Sequence, residues 1–304
     1  VSGLAGYFEG WWPEPLRRPD RIRRWPLDAF AGLLDQPGLA EDDPLPPMWQ
    51  GFGFLDHPAQ AELGADGHPA GGQFLPPIPN RRRMFAGGRW RAHQPLRVGD
   101  EVIRTASVTS IEVKNGRSGE MAFVTVRYEF AQDGVLAAVE EQDIVYRGGE
   151  PAEVAAPEAP TAAKPPAKPA DQPEDSAPAL RELRIAPDPP LLFRFSALTY
   201  NTHRIHYDQS YATGVEGYPG LVVHGPLLAL LALELPRRAG RSVTEFRYRL
   251  RRPAFVGATI VSREFASDAD GWSELTVGEL DRPPSLTATA RFGTSAGAAS
   301  KGRE

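Results

Sequence analysis

The sequence predicts an α+β fold of two similar units, each a helix wrapped by a curved antiparallel sheet. Three observations carry this. One long proline- and alanine-rich stretch divides the 304-residue chain into two halves. A short pattern recurs in both halves at a fixed offset. Strand signatures crowd the end of each half, and in the second half one strongly apolar helix precedes them.

The dividing stretch comes first. Pro151 to Leu180 holds eight prolines and ten alanines, with Val154 and Leu180 its only larger aliphatics. It cannot bury enough apolar surface to offset its ordering entropy, and its prolines favour an extended spacer. The expected organisation is therefore a unit over 1–149, a linker over 150–180, a second unit over 181–296 and a flexible tail over 297–304.

The repeat is short and specific. Arg89-Trp90-Arg91, Pro95 and Val98-Gly99 recur as Arg247-Tyr248-Arg249, Pro253 and Val256-Gly257, at an offset of 158. This reads as a strand, a proline-marked bend, a glycine turn and a second strand, used twice. In the first unit Val124, Val126, Tyr128 and Phe130 alternate with polar residues, and Leu136 to Tyr146 follows as another strand. In the second, strands are expected over Val256–Phe265, Trp272–Val277 and Ser285–Phe292. Pro219 to Leu235 is expected to be the buried helix, being apolar nearly all round. Its counterpart in the first unit is less clear, because Pro76, Pro77 and Pro79 interrupt the place where it belongs. A helix cradled in a curved sheet, twice over, is a double hotdog.

Composition excludes several classes. Hydrophobic residues at 41% and charged residues at 24% match a folded protein. Thirty-four basic against thirty-nine acidic residues leave no electrostatic footprint for nucleic acid. With no cysteine there is no thiol nucleophile, disulfide or thiolate metal site. The longest strongly apolar run, Leu227 to Leu233, is far short of the roughly 20 residues a membrane span needs. No basic-then-apolar leader opens the sequence, so a cytoplasmic location is expected.

Chemistry concentrates in one place. Of six histidines, His203, His206 and His224 fall within 22 residues, between an apolar approach and the apolar helix. Histidine titrates near neutrality and suits general acid–base work. The start of the helix at Gly225 offers unpaired backbone N–H groups that can stabilise an oxyanion. No HExxH pattern and no G-x-S-x-G elbow accompany the histidines, so metal and serine-hydrolase readings are disfavoured. The isolated His57, His68 and His93 read as surface or hydrogen-bonded residues.

The run Ser196-Ala-Leu-Thr-Tyr-Asn201-Thr-His203-Arg-Ile-His206-Tyr-Asp208, followed by Tyr218-Pro-Gly-Leu-Val-Val-His224-Gly225-Pro226, resembles the MaoC-like hydratases. It is most similar to their double-hotdog members, the 3-methylfumaryl-CoA (mesaconyl-C4-CoA) hydratases and type 2 hydroxyacyl-thioester dehydratases. Matching features of the first unit are Asp43 to Trp49, Gly67-His-Pro, Gly72 to Pro77, Arg82 to Gly88, Arg97 to Asp100 and Glu140 to Tyr146.

The resemblance implies a hydro-lyase acting on an enoyl or 3-hydroxyacyl thioester, carried by CoA or by an acyl-carrier protein, with no other cofactor and no metal. It implies His206 as general base, returning the proton to the α-carbon as well, and Gly225 as oxyanion donor. Asn201 stands where the wider family has aspartate; an amide cannot accept the proton, so its implied role is orientation through hydrogen bonds. His203, His224 and Asp208 are supporting residues, and Asp208 is expected to cap the following turn. Arg82 and Arg83, and Arg247 and Arg249, are candidates for substrate carboxylate or CoA phosphates, against the alternative of a solvated face. A hotdog thioesterase and a non-catalytic acyl-thioester binding protein are the competing readings. Paired units within one chain suffice for a monomer, with a homodimer left open.

Overall fold

The computed structural model describes residues 3–40, 43–79, 81–116, 119–148 and 178–293. Most of the linker, over 149–177, and the 297–304 tail lie outside the described residues.

The two units follow one plan. The first runs β1 (Leu16–Arg21), α1 (Arg24–Leu33), a long loop, then β2 (Arg82–Ala92), β3 (Glu101–Gly116), β4 (Gly119–Gln132) and β5 (Val135–Arg147). The second runs β6 (Arg181–Ile185), α2 (Pro189–Thr199), α3 (Gln209–Gly214), α4 (Gly225–Arg238), then β7 (Val243–Leu250), β8 (Ile260–Ser267), β9 (Trp272–Glu279) and β10 (Leu286–Phe292). All ten strands form one antiparallel sheet in the order β1-β3-β4-β5-β2-β7-β10-β9-β8-β6. Read outward from the β2–β7 seam, each half has the same strand sequence.

The repeat in the sequence sits on that seam. Arg89 pairs with Arg247, its own counterpart, as expected of a position on a local two-fold axis between β2 and β7. The turns that follow also match: Gly99 and Gly257 adopt φ of 90° and 93°, a region that glycine enters without a Cβ penalty. Each repeated segment is therefore a strand pair, as the sequence predicts.

The units differ in their helices. α4 is buried on every side from Leu227 to Pro236 and packs against β7, β8, β9 and β10. It begins at Gly225, later than the pattern suggested. Leu221, Val222 and Val223 are buried but precede the helix: Val222 N–H bonds to Ile205 O, and Val223 N–H to Ala254 O. Hydropathy alone does not separate such an extended segment from a helix.

In the first unit no equivalent helix forms among the described residues. Two short 3-10 turns, Trp49–Phe52 and Gln60–Glu62, lie between α1 and β2, and the 76–79 prolines have no helical assignment. The double hotdog stands, with the first unit, whose helix the prolines left unclear, keeping the sheet and the short α1. α2 was read as an apolar approach. It is a helix capped by Asp188, whose side chain accepts from Leu191 N–H.

One core joins the units. Phe30 of α1 lies 5.1 Å from Trp49, 4.6 Å from Phe52 and 6.1 Å from Phe195 of α2. Phe195 in turn meets His224 at 4.8 Å, edge to face. The aromatic core thus ends against the histidine-bearing segment.

Candidate active site

Three backbone arrangements bring the predicted residues together. Tyr200 ends α2 in the left-handed conformation, which turns the chain into the 201–208 segment. Asn201 Oδ1 then accepts from His203 N–H at 3.0 Å, holding a tight turn. At the far end Asp208 caps α3 by accepting from Tyr211 N–H and pairs with Arg204 at 2.7 Å. Asp208 therefore sits at the predicted cap.

His206 is clamped to the segment that enters α4. Its Nδ1 lies 2.7 Å from Val222 O, while Val222 N–H bonds to Ile205 O at 3.0 Å. A carbonyl can only accept, so in the neutral ring the proton is on Nδ1 and Nε2 carries the free lone pair. Among the described residues Nε2 has no hydrogen-bond partner.

His224 is fully buried and is the residue before α4; its ring stacks on His206 at 3.7 Å and 19°. Its Nε2 is 2.9 Å from Ser196 Oγ, and its Nδ1 is buried without a partner. Gly225 follows as the first helical residue, so its N–H has no partner within the helix and stands beside the His206–His224 pair. A side chain at Gly225 would press on Leu250.

Burial keeps these imidazoles neutral. It pushes His206 down to about 4, with the Val222 bond opposing, and His203 to about 3, with repulsion from His68 and His206 adding to the effect. His224 is lowered well below the ordinary histidine range by burial and by its two neighbours.

The sequence reading missed His68. Its ring lies on that of His203, centroids 3.9 Å apart, and His203 meets His206 at 5.4 Å nearly perpendicularly. Four imidazoles, His68, His203, His206 and His224, thus form one chain of contacts. Asp66 accepts from His68 twice, from Nδ1 at 3.0 Å and from the backbone N–H at 2.9 Å. The pointer in the sequence was the Gly67-His-Pro motif, which spacing alone could not connect to a site more than 130 residues away.

Asp66, His68 and His203 also have the residue types of a metal site, with ligand atoms within 4.8 Å of one another. However, Asp66 Oδ2 is engaged by His68 Nδ1 and Asp66 Oδ1 by the His68 backbone N–H.

The arginine candidates separate. Arg82 reaches Glu216 of the second unit at 3.8 Å. Arg83 is exposed, with no hydrogen bond or ion pair among the described residues, and its charge is felt at His203. Arg247 and Arg249 project from the sheet face opposite the buried Phe246 and Tyr248. Arg247 is occupied there by Glu245 at 3.3 Å and by the Trp272 ring at 4.5 Å. Two cavities, of about 450 and 560 Å³, include none of the four clustered histidines; the first is lined by Arg18, Trp49 and Phe54, the second by Leu183, Arg194 and Arg238. Convergent acid–base groups, rather than size, locate the site.

Comparison with known proteins places the chain in a family. The hydroxyacyl-thioester dehydratase type 2 family matches residues 52–256, a span that contains all four clustered histidines. The chain is 48% identical over 232 residues to the mesaconyl-C(4)-CoA hydratase of Chloroflexus aurantiacus, covering 75% of this chain and 78% of that one. It is 39% identical over 115 residues to the mitochondrial hydroxyacyl-thioester dehydratase type 2 of Schizosaccharomyces pombe, covering 36% and 37% of the two chains. The MaoC-like dehydratase from Phytophthora capsici shares the fold, with a TM-score of 0.66 at 14% identity over 97% of this chain and 100% of that one.

Proposed function

Because this chain belongs to the hydroxyacyl-thioester dehydratase type 2 family, we propose that it is a hydro-lyase adding water to an enoyl thioester or removing it from a 3-hydroxyacyl thioester. The observation that carries the reading is His206: a buried imidazole with its Nδ1 proton held on Val222 O and its Nε2 lone pair unengaged. Such a group can take a proton from water and little else.

The reaction follows from the geometry. The thioester carbonyl lies toward Gly225 N–H, where the start of α4 and its dipole stabilise the negative charge that develops on oxygen. Water adds at the β-carbon as His206 Nε2 accepts its proton. Asn201 orients the water or the thioester through its free amide N–H groups, its oxygen being spent on His203 N–H. His203 and His224 pack against the imidazole and hold it in place. No metal and no redox cofactor take part.

The acyl group is assigned by the charge available to it. Arg83, exposed and without an ion-pair partner near His203, suits an acyl chain ending in a carboxylate, and Arg82 lies beside it. The mesaconyl-C(4)-CoA hydratase of Chloroflexus aurantiacus supports a substrate of that class. The paired sheet is complete within one chain, so the working unit is a monomer or a homodimer of such chains, distinguished by mass in solution. The described helices include none long and apolar enough to cross a membrane. A cytoplasmic location belongs to the same proposal.

The test is a panel of enoyl-CoA substrates, mesaconyl-C4-CoA among them, followed by loss of conjugated-thioester absorbance and by product mass. Addition of one water supports the reading. Release of free thiol, or binding without turnover, overturns it.

A further inference from the structure

Hydration of an enoyl thioester moves two protons: one leaves the attacking water and one arrives at the α-carbon. His206 accounts for the first. The structure points to a separate group for the second.

The 64–70 loop belongs to the first unit, yet it is built into the catalytic turn of the second. Arg204 N–H bonds to Asp66 O at 2.9 Å, Arg204 Nη1 to Ala65 O at 3.0 Å, and the Thr202 hydroxyl to Gly67 O. Gly67 has φ of 88°, and a Cβ there would overlap the carbonyl oxygen of Thr202. A loop fitted this closely delivers whatever it carries to a fixed place. It carries His68, whose ring rests on His203 at 3.9 Å and whose Nδ1 meets Asp66 at 3.0 Å. A carboxylate on Nδ1 fixes the ring's orientation and tautomer, and in the imidazolium form Nε2–H is then a proton donor. Nε2 has no partner among the described residues.

We infer that His68, oriented by Asp66, is the second acid–base catalytic residue, protonating the α-carbon while His206 deprotonates water. This inference rests on the hydro-lyase reading above. In the hydration direction the water oxygen bonds to the β-carbon as its proton passes to His206 Nε2. The Cα–Cβ π pair moves into the enolate, which then takes the Nε2 proton of His68 at the α-carbon. The proton on His206 is released to solvent and His68 takes one up, so the net change is one water added.

Several charged and titratable groups surround the His68–Asp66 pair. Asp66 lies on its own loop. His203 and Arg204 lie on the turn it docks against, with His206 beyond His203; Arg83 on β2 acts on His203, and Tyr211 on α3 lies within the field of Asp66. Burial would raise the Asp66 carboxyl, but its hydrogen bonds to His68 hold it down at about 2, so it stays ionised. Arg204 is occupied by Asp208 and by the Tyr211 ring at 4.0 Å.

The experiment compares wild type, His68→Gln and Asp66→Asn across pH. The substrate is whichever of crotonyl-CoA and mesaconyl-C4-CoA the wild type hydrates faster. His68→Gln is expected to lower kcat about 100-fold or more with KM within about threefold, and to abolish the alkaline limb while keeping the acidic one. Asp66→Asn retains an oxygen for the His68 backbone N–H, which keeps the loop folded, and is expected to move the alkaline limb to lower pH. An unchanged kcat in His68→Gln, or a fall with both limbs unmoved, overturns the assignment. So does an unmoved limb in a folded Asp66→Asn. If the wild type hydrates neither substrate, it is the hydro-lyase reading that fails, and this one with it.

Discussion

His206 and His224 lie face to face, ring centroids 3.7 Å apart and planes inclined by 19°, one on the catalytic turn and the other just before α4. Two stacked, buried imidazoles cannot both carry a proton without strong repulsion. The pair is therefore neutral at cellular pH, and the member with a free Nε2 is the one proposed as the base.

That neutrality sets the acidic limb of the rate. His206 is held at about 4, against 6.5 for a free histidine, chiefly by burial. The expected kcat/KM profile stays flat through pH 6.5 on the acid side and falls only toward pH 4. A limb centred at 6.5 would mean that the base is a solvated group elsewhere.

Stability follows the same groups with a definite sign. The folded values of His203 and His206 lie below the unfolded value of 6.5, so the unfolded chain binds more protons as pH drops. Their contribution is complete above pH 6.5 and is lost as pH falls toward about 4 for His206 and about 3 for His203. The slope approaches about 1.4 kcal/mol per pH unit for each group. Urea midpoints between pH 7 and 4.5 measure it. His203→Gln should flatten the curve, and a variant curve parallel to wild type would contradict the assignment.

Asp208 is read as a cap. Asp208→Ala should cost about 1 kcal/mol of stability through loss of the bond to Tyr211 N–H, while kcat stays within about threefold. A collapse of kcat at unchanged stability would place Asp208 in the chemistry.

Gly67→Ala tests the docking of the two units at the site. A methyl group meets Thr202 O and must also hold a left-handed φ, a strain of about 1–3 kcal/mol. Amide exchange should rise across 64–70 and 201–206 together. Faster exchange confined to one segment would show that they are not coupled.

Exhaustive chelation should leave the rate unchanged. A loss restored by zinc would instead make Asp66, His68 and His203 ligands.

The sequence carried the local chemistry and the repeat, but not the distances that depend on tertiary packing. The seam between Arg89 and Arg247 was legible because strand, bend and glycine turn leave a local signature. The His203–His206–His224 cluster was legible because its members are near in sequence. His68 was not: the Gly67-His-Pro motif marks it without saying what it meets, and only docking of its loop against Thr202 and Arg204 brings it to His203. The first unit's missing helix had a partial sign in its prolines. α2 was missed because its apolar residues read equally well as an extended approach. Arg247 and Arg249 lie on the exposed face of β7, and alternation along a strand does not say which face a substrate meets.

The most direct measurement is hydration of the best enoyl-CoA substrate by wild type and by His206→Gln, with folding checked by circular dichroism. The account predicts a fall in kcat of about 100-fold or more at unchanged fold, with one water still added in the residual product. Hydration at the wild-type rate by a folded His206→Gln would contradict it.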